Sequence, residues 1–321
     1  MFPAPNPVHS ALLGLAVADA LGVPVEFRSR EELDQNPVQN MRAYGTYNQP
    51  AGTWSDDSAM AFCIAESLVK GYDLADMATR FVQWKYENYW TPHGELFDIG
   101  NMTSLAIAEL QEILASGNVQ ELRGLYSDDE MDNGNGSLMR CIPLLFYIKG
   151  KNLADKFRIV WEVSALTHGH VRSGIACFFY LLMAEYILEG KEKMDAYAAA
   201  CETTTAFLKT QDTDEEEVEV FARVLGGQIH QEERDTITSD GYVMHSLEAS
   251  LWCFLRYGDY ASSVLAAVNL GHDTDTTAAI TGGLAGLYYG VDLIPEEWVN
   301  TLARLEDILE LADGVERVFF D

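Results

Sequence analysis

Along this chain, apolar residues recur mainly at the three-to-four spacing of an α-helix. His9–Leu21 reads as an Ala/Leu-rich helix whose small residues Gly14, Ala16 and Ala18 permit close packing, with Asp19 a polar interruption near its end. Pro24 disfavours helical geometry at the residue before it, so the helix ends there and Val25-Glu26-Phe27 follows outside it. Residues 31–54 are polar and loop-like. The next helix is predicted to start at 55–58 and run to Val69, with Gly71 past its end. Further helices are predicted over 74–88 and 101–115, then a loop-rich stretch over 116–136. Helical pattern returns over 138–149, where Pro143 signals a kink or a late start, and over 154–166, 171–189 and 193–208. It continues over 218–227, 244–256, 259–268, 276–289 and 296–312. No long run alternates with period two. An all-α, compact, multi-helix domain is predicted. With no repeat or low-complexity linker, residues 1–321 are expected to form one domain.

Composition sharpens this. The 321 residues are 48% hydrophobic, too apolar for a disordered acidic chain. A chain of roughly 300 residues buries about 75% of its extended surface. With 21 basic against 50 acidic residues the formal charge is −29, which argues against nucleic acid as principal partner and against anionic membrane surfaces. A small anionic substrate remains compatible, because backbone N–H groups and bound cations can reverse the sign of a cleft. The run Asp214–Glu217 reads as a solvated helix start or surface linker. Five widely spaced cysteines with no C-x-x-C read as buried thiols in a reducing compartment. The start MFPAPNPVHS lacks a basic stretch leading into an apolar one, and no uninterrupted apolar run of about 20 residues stands out. A cytoplasmic location is expected.

Two acidic motifs look chemical. In the first, Ser55-Asp56-Asp57 stands where a loop enters a helix; these residues could simply cap it, or supply hard oxygen ligands of the kind Mg2+ and Mn2+ take. In the second, Gly271-His272-Asp273-Thr274-Asp275-Thr276 opens a helix rich in Gly and Ala. Residues two apart do not share a helix face, so Asp273 and Asp275 converge only in a loop or a distorted helix start. Close-packing glycines and alanines would let the two helix starts meet. Asp56, Asp57, Asp273 and Asp275 would then repel unless protonated, paired or bound to metal, and two divalent cations would balance their charge.

Taken in order, Gly14–Gly22 with Pro24–Phe27, Ser55-Asp56-Asp57, Asn133–Arg140, Thr167–His170 and Gly271–Thr276 resemble the ADP-ribosylglycohydrolase family over most of the chain. That resemblance implies an almost all-helical fold, a binuclear Mg2+ or Mn2+ centre and an ADP-ribosyl substrate. It implies one cation on Ser55, Asp56, Asp57 and Asp275, and another on Asp273, Asp275 and Thr276, with Asp275 as the bridge. The family often has Thr where Ser55 stands. Glu26 resembles the mobile acidic residue near the metals and the reacting ribose; Glu26, Asp56, Asp57 and Asp275 are therefore the catalytic candidates. Asn133, Gly134, Asn135, Gly136 and Ser137 resemble the loop that holds the diphosphate and ribose, with His168 as a substrate-side donor. Arg140 stays open between a phosphate partner and a packed or paired charge. His272 is assigned a structural or supporting part, and Trp54, Tyr89 and Trp90 are assigned to packing rather than to adenine.

The activity implied is hydrolysis of ADP-ribosyl bonds, foremost removal of mono-ADP-ribose from arginine side chains of proteins, by a monomer. Alternatives are a hydrolase of serine-linked ADP-ribose or of a small ADP-ribosylated metabolite, a two-metal phosphoester hydrolase, and a noncatalytic ADP-ribose-binding homologue.

Overall fold

The computed structural model of the chain describes residues 6–211 and 213–320; residues 1–5, where the N-terminal stretch read above begins, 212 and 321 lie outside it. Eleven helices of nine residues or more carry the described fold: α1 (Pro7–Gly22), α2 (Asp56–Lys70), α3 (Leu74–Glu87), α4 (Asn101–Ser116), α5 (Leu153–Ala165), α6 (Val171–Leu188), α7 (Lys193–Leu208), α8 (Val243–Arg256), α9 (Tyr260–Val268), α10 (Thr274–Tyr289) and α11 (Leu305–Phe319). Among the described residues there are no strands, only isolated bridges at Ser127–His170 and Gly134–Tyr242. The all-α reading holds.

Four boundaries differ from the sequence reading. The helix expected over 218–227 is two short ones, Glu215–Glu219 and Ala222–Leu225. The other three each differ for a local reason. The late start flagged by Pro143 is real: only Leu144–Ile148 is α-helical in that stretch. The predicted helix 296–312 is two helices, Glu296–Thr301 and α11, separated where Arg304 takes a left-handed backbone at φ 56°. Within the loop expected over 31–54 lies a short helix, Arg30–Gln35, opened by a capping box in which Ser29 and Glu32 satisfy each other's backbone N–H.

At the centre, α1 lies against α10. Every residue of α1 except His9 is buried, so this helix is apolar all round as core helices are. Glycines set the approach: a Cβ on Gly14 would stand 2.4 Å from the Gly282 carbonyl oxygen, and one on Gly286 would stand 2.0 Å from that of Ser10. The stretch Pro7–Val25 and helix α6 are each long and apolar enough to cross a bilayer, which the sequence reading did not pick out; both are mostly buried in protein here. Packing against α1 from its other sides are α2, α9 and α11. Close α1–α10 packing brings the end of α1, the start of α2 and the start of α10 together.

Candidate functional site

At the start of α2, Ser55 is the N-cap: its Oγ accepts from the Asp57 N–H at 3.3 Å and donates to Asp57 Oδ2 at 2.9 Å. A second cap comes from another helix. Asp19, wholly buried on α1, accepts from the Ser55 N–H at 3.0 Å, the Ser58 N–H at 3.1 Å and the Ser58 hydroxyl. Helix starts leave N–H groups unpaired and favour negative charge, so a carboxylate from α1 is well placed there. The polar interruption in the first helix thus fixes the direction in which Asp56 and Asp57 point.

The start of α10 is built differently. Gly271 at φ 82° and His272 at φ 61° turn the chain tightly. His272 donates its N–H to the Arg28 carbonyl and accepts from the Phe27 N–H, both at 2.7 Å, which sets Glu26 beside Asp273. The part played by His272 is therefore a backbone one. Asp273 donates its N–H to the Ser239 carbonyl at 2.9 Å, and Thr274 Oγ1 donates to the Gly22 carbonyl at 2.9 Å.

These segments converge. Carboxylate oxygens of Asp19, Asp57 and Asp275 lie within 4.8 Å of one another, and so do those of Glu26, Asp273 and Asp275. Asp275 belongs to both groups. Asp56 and Thr276 line the adjoining pocket, with the Thr276 side chain beside Asp273 and the Thr276 N–H donating to Asp275 Oδ1 at 3.0 Å. Three buried oxygens in this cluster have no hydrogen-bond partner: Asp57 Oδ1, Asp273 Oδ1 and Asp275 Oδ2. Burial, with the neighbouring carboxylates, drives Asp56, Asp57 and Asp275 well above the ordinary range. Burial also raises Asp19 to about 7. Orphaned carboxylate oxygens that resist ionisation are the donor set a hard divalent cation would complete, so these residues fit Mg2+ or Mn2+. The grouping shifts the emphasis of the sequence reading, placing Asp19 in one acidic triad and Glu26 in the other.

Above the cluster is a pocket of about 380 Å³, lined by Glu26, Phe27, Asp56, Asp98, residues 99–103, Gly134, Asn135, Gly136, Met139, His168, Gly241, Asp273 and Thr276. The 133–137 loop is strapped to the start of α8: Asn135 donates its N–H to the Gly241 carbonyl at 3.0 Å, and Val243 donates to the Asn133 carbonyl at 3.1 Å. Asn135 Nδ2 also reaches Asp273 Oδ2 at 2.7 Å, which ties the loop to the acidic cluster. A Cβ on Gly136 would stand 2.5 Å from His168 Cε1, so the His168 ring lies directly against this loop. Burial, and the nearby Arg140 charge, lower His168 to about 3, so it is a neutral imidazole at ordinary pH. Its Nδ1 is paired with Thr167 Oγ1 at 2.8 Å.

Not every loop residue faces the pocket. Asn133 is not part of its wall, and Ser137 points behind the loop, accepting from Ser164 Oγ at 2.8 Å with Cys177 Sγ at 3.5 Å. Arg140 resolves toward packing. Fully buried, it grips the Gly136 carbonyl from behind and donates to the Val163 carbonyl at 3.3 Å, with its guanidinium 5.0 Å from the centre of the Phe81 ring. Trp54 and Trp90 are core residues, and Tyr89 bonds Glu66.

Sequence reasoning missed Asp98 and Tyr47. Both come from irregular segments with no periodic signal. The Tyr47 hydroxyl donates to Glu26 Oε2 at 2.5 Å, and the Asp98 carboxyl stands beside Glu26, Tyr47 and Asp275. Burial, reinforced by the Asp98 charge, pushes Glu26 up to about 9, so a proton is held on this carboxyl pair at neutral pH.

Comparison with known proteins agrees with this architecture. A sequence profile described as ADP-ribosylglycohydrolase matches residues 6–320. An ADP-ribosylarginine hydrolase, Tri1, of Pseudomonas putida (strain GB-1) is 32% identical over 305 residues, covering 94% of this chain and 76% of that protein. The ADP-ribosyl-[dinitrogen reductase] glycohydrolase of Rhodospirillum rubrum is 30% identical over 296 residues, covering 91% of this chain and 88% of that protein. A solved structure titled "ADP-ribosylglycohydrolase-related protein complex" superposes with a TM-score of 0.79 at 31% identity, over 98% of each chain. With the profile spanning nearly the whole chain and the two acidic helix starts meeting beneath one pocket, this protein belongs to the ADP-ribosylglycohydrolase family.

Proposed function

We propose that this chain hydrolyses the N-glycosidic bond between ADP-ribose and an arginine guanidinium of a protein, using two divalent cations, Mg2+ or Mn2+. The observation that carries the reading is the convergence of orphaned oxygens of Asp57, Asp273 and Asp275 beneath a pocket walled by Glu26 and Asp98. Ser55, Asp56, Asp57 and Asp275 would hold one cation, and Asp273, Asp275 and Thr276 the other, with Asp19 and Glu26 completing the acidic surround. Bound there, such cations supply Lewis-acid orientation of ribose hydroxyls and of water.

The rest of the chemistry is assigned to this chain's residues. The diphosphate would lie along Gly134-Asn135-Gly136 and the start of α4, a helix N-terminus with no side-chain cap, where free N–H groups favour an anion. In the net reaction water oxygen bonds to the anomeric carbon as the C–N bond breaks. The bond's electron pair leaves on the guanidine nitrogen, which takes up a proton. Glu26, which accepts from the Tyr47 hydroxyl and stands beside Asp98, is positioned to hold or pass that proton. His168, neutral and paired through Nδ1, contributes shape and a hydrogen bond, not basicity. Five free, buried cysteines support a reducing, cytoplasmic setting.

The reading is tested by incubating purified protein with arginine-linked and serine-linked ADP-ribosyl peptides, with and without Mg2+ or Mn2+, and resolving products by mass. Release of intact ADP-ribose from the arginine peptide is expected. Cleavage within the diphosphate, or binding without release, overturns it.

A further inference from the structure

Phe27 is the anomaly of the pocket. The residue is 68% exposed although it lines the wall beside Glu26 and Asp98. Its backbone sits at φ 65°, in the left-handed region that a bulky residue adopts only under constraint. The constraint is visible: the Phe27 N–H is taken by the His272 carbonyl at 2.7 Å, and the next N–H, of Arg28, by Val25 at 3.0 Å. A single exposed apolar side chain needs no explanation. An exposed aromatic in a strained backbone, at the lip of a site, does.

Its surroundings say what it suits. The Phe27 ring meets Tyr47 edge-on at 6.4 Å, and Tyr47 lies 5.2 Å from Phe97. The Tyr47 hydroxyl donates to Glu26, and the Asp98 carboxyl stands beside both. One side of the pocket mouth therefore combines an open aromatic ring with two carboxyl groups. A guanidinium suits that combination: planar, cationic and weakly hydrated, it stacks on aromatic faces while pairing with carboxylates. A serine oxygen can do neither.

We infer that Phe27 is a specificity-determining residue, contacting the acceptor side of the scissile bond and favouring arginine-linked over serine-linked ADP-ribose. This rests on the proposed hydrolase function and names the feature that selects its acceptor. Phe27 lines the same pocket as the 134–136 loop, so its effect on the acceptor and its effect on ADP-ribose itself are separated by measurement.

The test uses the Mn2+-loaded full chain with Phe27→Leu, Phe27→Trp and Phe27→Gly. Steady-state kinetics are read on matched arginine- and serine-linked ADP-ribosyl peptides, and ADP-ribose affinity by calorimetry. Phe27→Leu keeps the bulk without the π face; it is expected to raise KM for the arginine peptide about three- to thirtyfold, the range of one cation–π contact. On the same account ADP-ribose affinity and serine-peptide KM change less than the arginine-peptide KM, so the arginine-to-serine ratio of kcat/KM falls. Phe27→Trp keeps the wild-type preference. Phe27→Gly relieves the left-handed backbone, so its unfolding temperature does not fall while its arginine preference does. An unchanged arginine-to-serine ratio in Phe27→Leu and Phe27→Gly overturns the assignment, and so does an equal loss on both peptides. Failure of the wild type to release ADP-ribose from the arginine peptide would instead sink the function on which the assignment rests.

Discussion

Gly22 stands against Asp275: a Cβ on Gly22 would lie 2.4 Å from both the Cα and the N of Asp275. The end of the central helix thus touches the first turn that carries the shared carboxylate. Gly22→Ala is expected to force that turn away and destabilise the fold by about 1–3 kcal/mol, the usual cost of overpacking. Chemical denaturation measures the stability, and Mn2+ titration shows whether the site is displaced with it. Wild-type values in both would mean that this approach is not what positions Asp275.

Asp19 makes a second prediction, about the other helix start. It is the acceptor for the Ser55 and Ser58 N–H groups and for the Ser58 hydroxyl, all buried. Asp19→Ala strands these donors and is expected to cost about 2–5 kcal/mol, with Asp56 and Asp57 losing their fixed direction. Denaturation midpoint and Mn2+ affinity should fall together. A midpoint unchanged from wild type would contradict the capping role.

A pH dependence follows from His168. Its folded pKa, lowered to about 3 by burial and by Arg140, lies below the ordinary 6.5. Between those values the unfolded chain binds a proton that the folded chain refuses, so stability falls as pH falls from 6.5 toward 3 and is fully present above 6.5. This one group contributes a slope approaching 1.4 kcal/mol per pH unit at most, about one proton's worth. His168→Gln should remove that slope: the stability difference between wild type and variant shrinks from pH 7 to pH 4. A constant difference across this range would show that His168 takes up its proton in the fold as readily as in the unfolded chain.

Asp275 is common to both carboxylate groups, so its neutralisation should disturb both cation positions. Metal-stripped wild-type protein is expected to take up two Mn2+ ions per chain by calorimetry and to gain thermal stability on doing so. Asp275→Asn is expected to lose at least about tenfold in affinity and most of that gain. Two ions bound with wild-type affinity by the variant would reject the bridging role.

These predictions show what was legible in the sequence and what was not. Contiguous signatures were readable: Ser55-Asp56-Asp57 and Asp273-Thr274-Asp275 open helices, and the Gly/Ala stretch behind the second packs against the first helix of the chain. Most helices were readable too, because their apolar spacing is regular; 193–208 matches Lys193–Leu208. The Ser29–Glu32 capping box is also written in the sequence, inside a stretch whose polarity hides the short helix behind it. Orientation was not readable. Ser137 and Arg140 lie in or beside the loop motif yet turn behind it, because α5 and α6 supply buried partners there. Asp98 and Tyr47 arrive from irregular chain whose placement depends on tertiary contacts, and Asp19 looked like a flaw in an apolar helix until α2 was set against it.

The central claim is that the carboxylates at two helix starts, with divalent cations, release ADP-ribose from arginine. The most direct measurement is a mass-resolved time course on an arginine-linked ADP-ribosyl peptide, using metal-stripped protein before and after Mn2+ is added. The account predicts negligible release before addition and, after it, intact ADP-ribose together with unmodified arginine peptide. Equal release before and after addition, or products cut within the diphosphate, would contradict it.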